Sequence, residues 1–165
     1  MCDSADTIIQ KADLYLKEGQ EETCLRLLRD LSKHQSDNGR LCLKYALALD
    51  HFSREEEAIP AYKKAMDSGL DPDDERVAMI CLASSYRNVG KVDQAMAMIT
   101  GAMEKYPGHI PVECFCSLIL LDAGLEKMAV QQLVQVLLRE LKPEAFEGFK
   151  EALKVKVNEL TEEKP

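Results

Sequence analysis

The sequence contains no tryptophan, and aromatic residues make up only 5% of its 165 positions. Strands favour aromatic and β-branched side chains, so this scarcity, set beside abundant Leu, Ala, Met, Glu and Lys, predicts a chain that is almost wholly helical. Basic residues are in short supply too: 21 Lys and Arg against 29 Asp and Glu give a formal charge of -8. Nucleic acid or an anionic membrane would require a basic face that displaces counterions, and this balance argues against both as partners. No apolar run is long enough to cross a bilayer, and the opening MCDSADTIIQ lacks the basic and apolar regions of a leader. The expectation is a soluble, cytoplasmic protein.

Also missing is any C-x-x-C pair. The six cysteines, Cys2, Cys24, Cys42, Cys81, Cys114 and Cys116, have no His at ligand spacing beside them, so neither a metal site nor a cofactor is expected. Cys24, Cys42, Cys81 and Cys116 read as small apolar side chains in a reducing compartment, and Cys2, near the start, as the reactive one. His34, His51 and His109 lie far apart, and no Ser or Cys has a base placed by an identifiable motif. No catalytic residue is nominated, and the chain is expected not to be an enzyme. Met96, Met98 and Met103 read as core filling, and Glu55, Glu56 and Glu57 as a helix start favoured by the helix dipole.

What is present is a repeat. Met79, Leu82, Ala83 and Tyr86 run large, large, small, large at helical spacing, Gly90 follows as a turn, and Ala95, Ile99 and Pro107 complete the unit. The pattern copies to Ile8, Ala12, Tyr15, Gly19, Cys24 and Leu28, then to Cys42, Tyr45, Ala46, Leu49, Ala58 and Tyr62. A fourth copy has Cys116, Ser117, Leu120, Gly124, Ala129, Leu133 and Val136. Turn positions Gly19, Ser53, Gly90 and Gly124 stand 34, 37 and 34 residues apart, with Gly69-Leu70-Asp71 lengthening the second unit. Expected boundaries are 5–38, 39–72, 73–108 and 109–142 within one domain, 5–160. Ser53 with Glu56 reads as a capping box, Pro60 as a kink in the helix it opens, and Asp37-Asn38-Gly39 as a loop. Glu113, at a large apolar position, reads as an end-of-array departure. From Pro143, Phe146, Phe149, Leu153, Val157 and Leu160 form one stripe, predicting a single capping helix over 143–160 with 161–165 frayed.

The repeat resembles the tetratricopeptide class. Glu57-Ala58-Ile59-Pro60-Ala61-Tyr62, Ser84-Ser85-Tyr86-Arg87-Asn88-Val89-Gly90 and Leu120-Leu121-Asp122-Ala123-Gly124 are similar to its small bacterial group 5 family. The resemblance implies an all-α, right-handed α-α superhelix whose first helices line a concave surface that binds a peptide or protein segment. The groove residues it nominates are Leu43, Leu47, His51, Ile80, Ser84, Arg87, Asn88, Leu118 and Asp122. Arg87 and Asn88 could hold a carboxylate or an extended backbone. The structural alternative has Arg87 paired with Asp50, Asp122 or another acid of the neighbouring repeats and Asn88 capping the turn before Gly90, and it assigns Leu43, Leu47, Ile80 and Leu118 to the inter-repeat core. The carboxylate clamp of chaperone-binding relatives falls here on Ile9, Asp13, Lys44, Val77 and Cys81, of which only Lys44 is basic, so that clamp is expected to be absent. The competing readings are a homodimeric scaffold, burying the groove or the second helices, and a secretion-type chaperone.

Overall fold

The computed structural model describes residues 4–161, which hold α-helices and one 3-10 turn, with no strand among the described residues. It divides into two compact units, one ending at Val89 and the other beginning at Gly90. The first contains α1 (Ala5–Lys17), α2 (Glu21–His34), α3 (Gly39–His51), α4 (Glu55–Asp67) and α5 (Pro72–Asn88). The second contains α6 (Val92–Lys105), α7 (Ile110–Asp122), α8 (Glu126–Glu140), the 3-10 turn Pro143–Phe146 and α9 (Lys150–Asn158). Cys2 and the last four residues of the expected frayed tail lie outside the described residues.

In three of the hairpins backbone hydrogen bonds close the turn. Gly19 and Ser53 in the first unit and Gly124 in the second adopt the left-handed conformation, with φ of 70°, 57° and 74°. The next amide reaches back to the first helix: Gln20 to the Tyr15 carbonyl at 2.8 Å, Arg54 to Leu49 at 2.9 Å, Leu125 to Leu120 at 2.9 Å. These are Schellman closures, which satisfy carbonyls that a helix end would otherwise leave open. The periodic large residue before each turn thus supplies the carbonyl that fixes the hairpin.

Small residues let the helices approach. Ala12, Ala46 and Ala58 in the first unit, and Ala95 in the second, are wholly buried. Tyr62 and Ile99, at the large position of the second helices, are equally enclosed. Of the four cysteines read as small apolar side chains, Cys24, Cys42 and Cys116 are buried free thiols and Cys81 is half-buried. Burial pushes the Cys24, Cys81 and Cys116 thiols above their ordinary range, which keeps them protonated and unreactive.

Three local expectations are corrected, and the placing of Pro60 inside its helix holds. Ser53 is not the cap of α4. Its left-handed backbone makes Arg54 the cap residue, without a side-chain capping bond, and the Arg54 guanidinium instead ties Glu57 (2.7 Å) to Glu21 of α2 (3.2 Å). Pro60 lies inside α4, which continues through it to Asp67, so the missing N–H costs one ladder bond without ending the helix. Gly39 is not a loop residue. It is the buried first residue of α3, capped by Asn38, and a Cβ there would stand 2.1 Å from the Gly69 carbonyl oxygen. Glu113 is buried rather than misplaced, because Arg139 of α8 meets both its oxygens, at 3.0 and 2.5 Å, and also donates to the Gly108 carbonyl at 3.4 Å. A buried carboxylate is tolerated only when paired in this way.

The C-terminal segment differs most from its reading. In place of one helix over 143–160, Glu147 (φ 48°) and Gly148 (φ 87°) turn the chain sharply, leaving a 3-10 turn and the nine-residue α9. Phe146, Phe149 and Leu160 therefore lie outside the helix that carries Leu153 and Val157. Val157 is the one buried residue of α9, and Phe149 is 70% exposed.

Candidate functional site

In the first unit the first helices of successive hairpins are bridged directly to one another. Lys44 of α3 pairs with Asp13 of α1 at 2.9 Å, and Arg40 of α3 approaches Asp74 of α5 at 3.8 Å. Below them, Asp50 at the end of α3 accepts two hydroxyls. Tyr62 Oη of α4 donates to Oδ2 at 3.0 Å and Ser85 Oγ of α5 approaches Oδ1 at 2.8 Å. Ser85 also lies 2.9 Å from the Cys81 carbonyl. Three helices are thus joined through one carboxylate.

Burial pushes the Asp50 carboxyl above the ordinary carboxylate range, and the Ser85 and Tyr62 donors oppose that shift by favouring the charged form. The Tyr62 phenol is driven far above its usual value, first by burial and then by Cys81 and Asp50 beside it. This network holds the end of α3 against α5 at the level where the nominated Arg87 and Asn88 leave α5.

The nominated residues separate under this geometry. Leu43 and Ile80 are buried, at 3% and 8% exposure, and belong to the core, so they offer a partner almost no surface. Large apolar side chains at helical spacing fill core whenever a neighbouring helix covers them, and that neighbour is invisible in one helix's pattern. Leu47 and Ser84 are half-buried and His51 is exposed, its ring edge-on to Phe52 at 5.0 Å. Asn88, exposed, donates to Glu55 Oε1 across to the start of α4 at 3.3 Å, so it braces a helix end rather than capping its own turn. Arg87 is half-buried in the last turn of α5. Asp50, one acid proposed to hold it, is engaged by the two hydroxyls. Of the clamp positions, Lys44 is committed to Asp13. In the second unit Leu118 and Asp122 lie on α7, with Leu118 and its neighbour Leu121 both exposed.

A cleft of about 490 Å³ with a mixed polar and apolar lining opens between α1 and α3, bordered by Asp6, Ile9, Asn38, Arg40 and Lys44 among others. Sequence reasoning gave Ile9 and Lys44 as clamp positions and did not join them across this cleft. It missed Ser85 and Tyr62 as a pair, although one signal was available: a Tyr at a core position needs a partner for its hydroxyl, and Asp50 is the acid on the preceding helix.

A family model described as Tetratrico peptide repeat matches residues 3–59 and 39–144. The chain belongs to the tetratrico peptide repeat family. No curated protein matches it in sequence. Among solved structures it is similar to YrrB, described as a TPR protein with an unusual peptide-binding site, at 16% identity and TM-score 0.66 over 96% of this chain and 80% of that one. MamA is similar at 15% identity and TM-score 0.70, covering 94% and 86%. The RS-1 MamA ArsTM double mutant gives 16% identity and 0.71 over 97% and 92%. At these identities the likeness is one of fold, and the all-α helical repeat is its content.

Among the described residues no helix is long and apolar enough to cross a membrane.

Proposed function

We propose that this tetratrico peptide repeat protein is a non-catalytic interaction module that holds an extended segment of a partner protein along the first helices of its hairpins. The observation that carries the reading is the bridged face of α1, α3 and α5 in the first unit. Its helices are locked side by side through Asp13–Lys44 and Asp50–Ser85, while Leu47, His51, Ser84 and Asn88 keep surface toward solvent. A rigid face with a few exposed polar and apolar side chains spares a ligand the cost of ordering the site. The peptide-binding description of YrrB, a protein of the same fold, supports the same reading.

The test begins with a random peptide library displayed against the full chain. An enriched synthetic peptide is then titrated by fluorescence anisotropy. Leu47→Asp and Arg87→Ala should each weaken it at least about tenfold, or about 1.4 kcal/mol, with helical circular dichroism unchanged. Equal binding by both variants would remove the groove from consideration.

A further inference from the structure

The densest run of exposed apolar side chains among the described residues lies at the end of the second unit. Val130, Leu133, Leu137 and Leu141 recur at i, i+3, i+7 and i+11 along α8 and its cap residue, and they are 48%, 38%, 47% and 44% exposed. Phe149, at the head of α9, adds an almost free aromatic ring. Of the thirteen exposed large hydrophobic side chains among the described residues, eight fall between Leu125 and Val155. The break at Glu147 and Gly148 leaves a 3-10 turn and the nine-residue α9 where one helix over 143–160 would present a longer apolar stripe.

We propose that a second copy of this chain covers this face, through antiparallel pairing of α8 with its own counterpart about a twofold axis near Leu133. Three observations select a second copy over a foreign partner. Positions 126–160 carry six cationic and six anionic residues, so the excess charge of -8 lies wholly elsewhere in the chain. Two acidic molecules that repel one another over most of their surface meet here without net repulsion, while a strongly charged partner of either sign gains no attraction. The stripe is self-complementary: an axis between positions 133 and 134 sets Val130 opposite Leu137 twice, as an isologous interface requires. Its size is also right. The five side chains present on the order of 500 Å² of apolar surface, at the top of what a monomer's largest patch shows. With its polar flanks the patch approaches the roughly 800 Å² per partner of a standard interface.

Sedimentation equilibrium of the full chain from low to high micromolar concentration reads this directly. The wild-type chain should fit a monomer–dimer equilibrium, and Leu137→Glu should raise the dimer dissociation constant at least tenfold with helical circular dichroism unchanged. Val130→Lys, at an equally exposed position on the same stripe, serves as a second variant in case the first perturbs folding. The groove variant Leu47→Asp should dimerise as the wild type does, and Leu137→Glu should retain groove peptide binding, so the two proposals fail separately. A wild-type monomer throughout, a dimer indifferent to both α8 variants, or a dimer lost with Leu47→Asp instead would each overturn the assignment.

Discussion

Tyr62→Phe removes one oxygen from a fully buried ring and leaves its shape unchanged. That oxygen donates to Asp50 Oδ2 at 3.0 Å, while Ser85 remains on the other carboxylate oxygen at 2.8 Å. A hydrogen bond to a charged acceptor contributes roughly 1.5–3 kcal/mol. Asp50 is only half-buried, so water takes up part of the vacated position and the expected loss is about 1–2 kcal/mol. At about 2–4 °C per kcal/mol for a chain of this size, the variant melts about 2–8 °C lower at neutral pH. The pH dependence has a definite sign. Burial raises the folded Asp50 carboxyl above its unfolded value of about 3.9. The folded state therefore binds more protons through that window, and the contribution of Asp50 to stability, full below it, is lost as pH rises through the folded value. The Tyr62 hydroxyl favours the charged form and opposes that loss. Without it the fall steepens, so the deficit of the variant is small in acid, where Asp50 is protonated, and full at neutral pH. Urea unfolding followed by circular dichroism at pH 4 and pH 7 measures both quantities. A variant as stable as wild type at pH 7, or a deficit that is larger in acid, refutes the argument.

Two further substitutions test backbone features. Ser53 holds a left-handed conformation that Gly19 and Gly124 hold at the corresponding turns. An L-residue there costs about 1–2 kcal/mol, and the unfolded-state freedom of glycine returns about half, so Ser53→Gly should stabilise by about 0.5–1 kcal/mol. A lower melting temperature would contradict the strain argument. Gly39→Ala places a methyl 2.1 Å from the Gly69 carbonyl oxygen and 2.9 Å from that of Ala65, both backbone atoms with little room to move. The overpacking cost is about 1–3 kcal/mol, seen as a lower urea midpoint, and an unchanged midpoint would show that the α3–α4 junction is loose.

What could be read from the sequence was whatever volume and turn geometry constrain. Ala12, Ala46, Ala58 and Ala95 had to be small, and Gly19, Ser53 and Gly124 had to turn left-handed, so periodicity found them all. Pairings across helices were hidden because each half sits at a position whose own pattern predicts something else. Glu113 looked like an error in an apolar series until Arg139, 26 residues later, supplied its counter-charge. Leu43 and Ile80 looked like groove because a stripe on one helix does not say which neighbour covers it. The cap failed for a local reason. The i, i+3, i+7 spacing of its apolar residues outweighed Gly148, whose positive φ decides where the helix can begin.

The groove was the least legible part because the repeat fixes which residues fill the core and leaves the outward ones free. Pairing narrows what such a face can recognise. A ligand carboxylate arriving at Lys44 must displace Asp13, which already holds it at 2.9 Å, and gains only the difference between two similar ion pairs. Arg40 is likewise within reach of Asp74. An extended backbone displaces no ion pair: Asn88, which gives an amide donor to Glu55 at 3.3 Å, still offers its carbonyl oxygen to a backbone amide, and apolar side chains of the segment can rest on Leu47 beside Ser84. Electrostatic economy on the first unit therefore supports recognition along the length of a segment rather than capture of its charged end, and the ionic-strength response separates the two. Binding by backbone and apolar contact should change less than about twofold between low and high salt, whereas terminal-carboxylate capture should weaken steeply as the ions are screened.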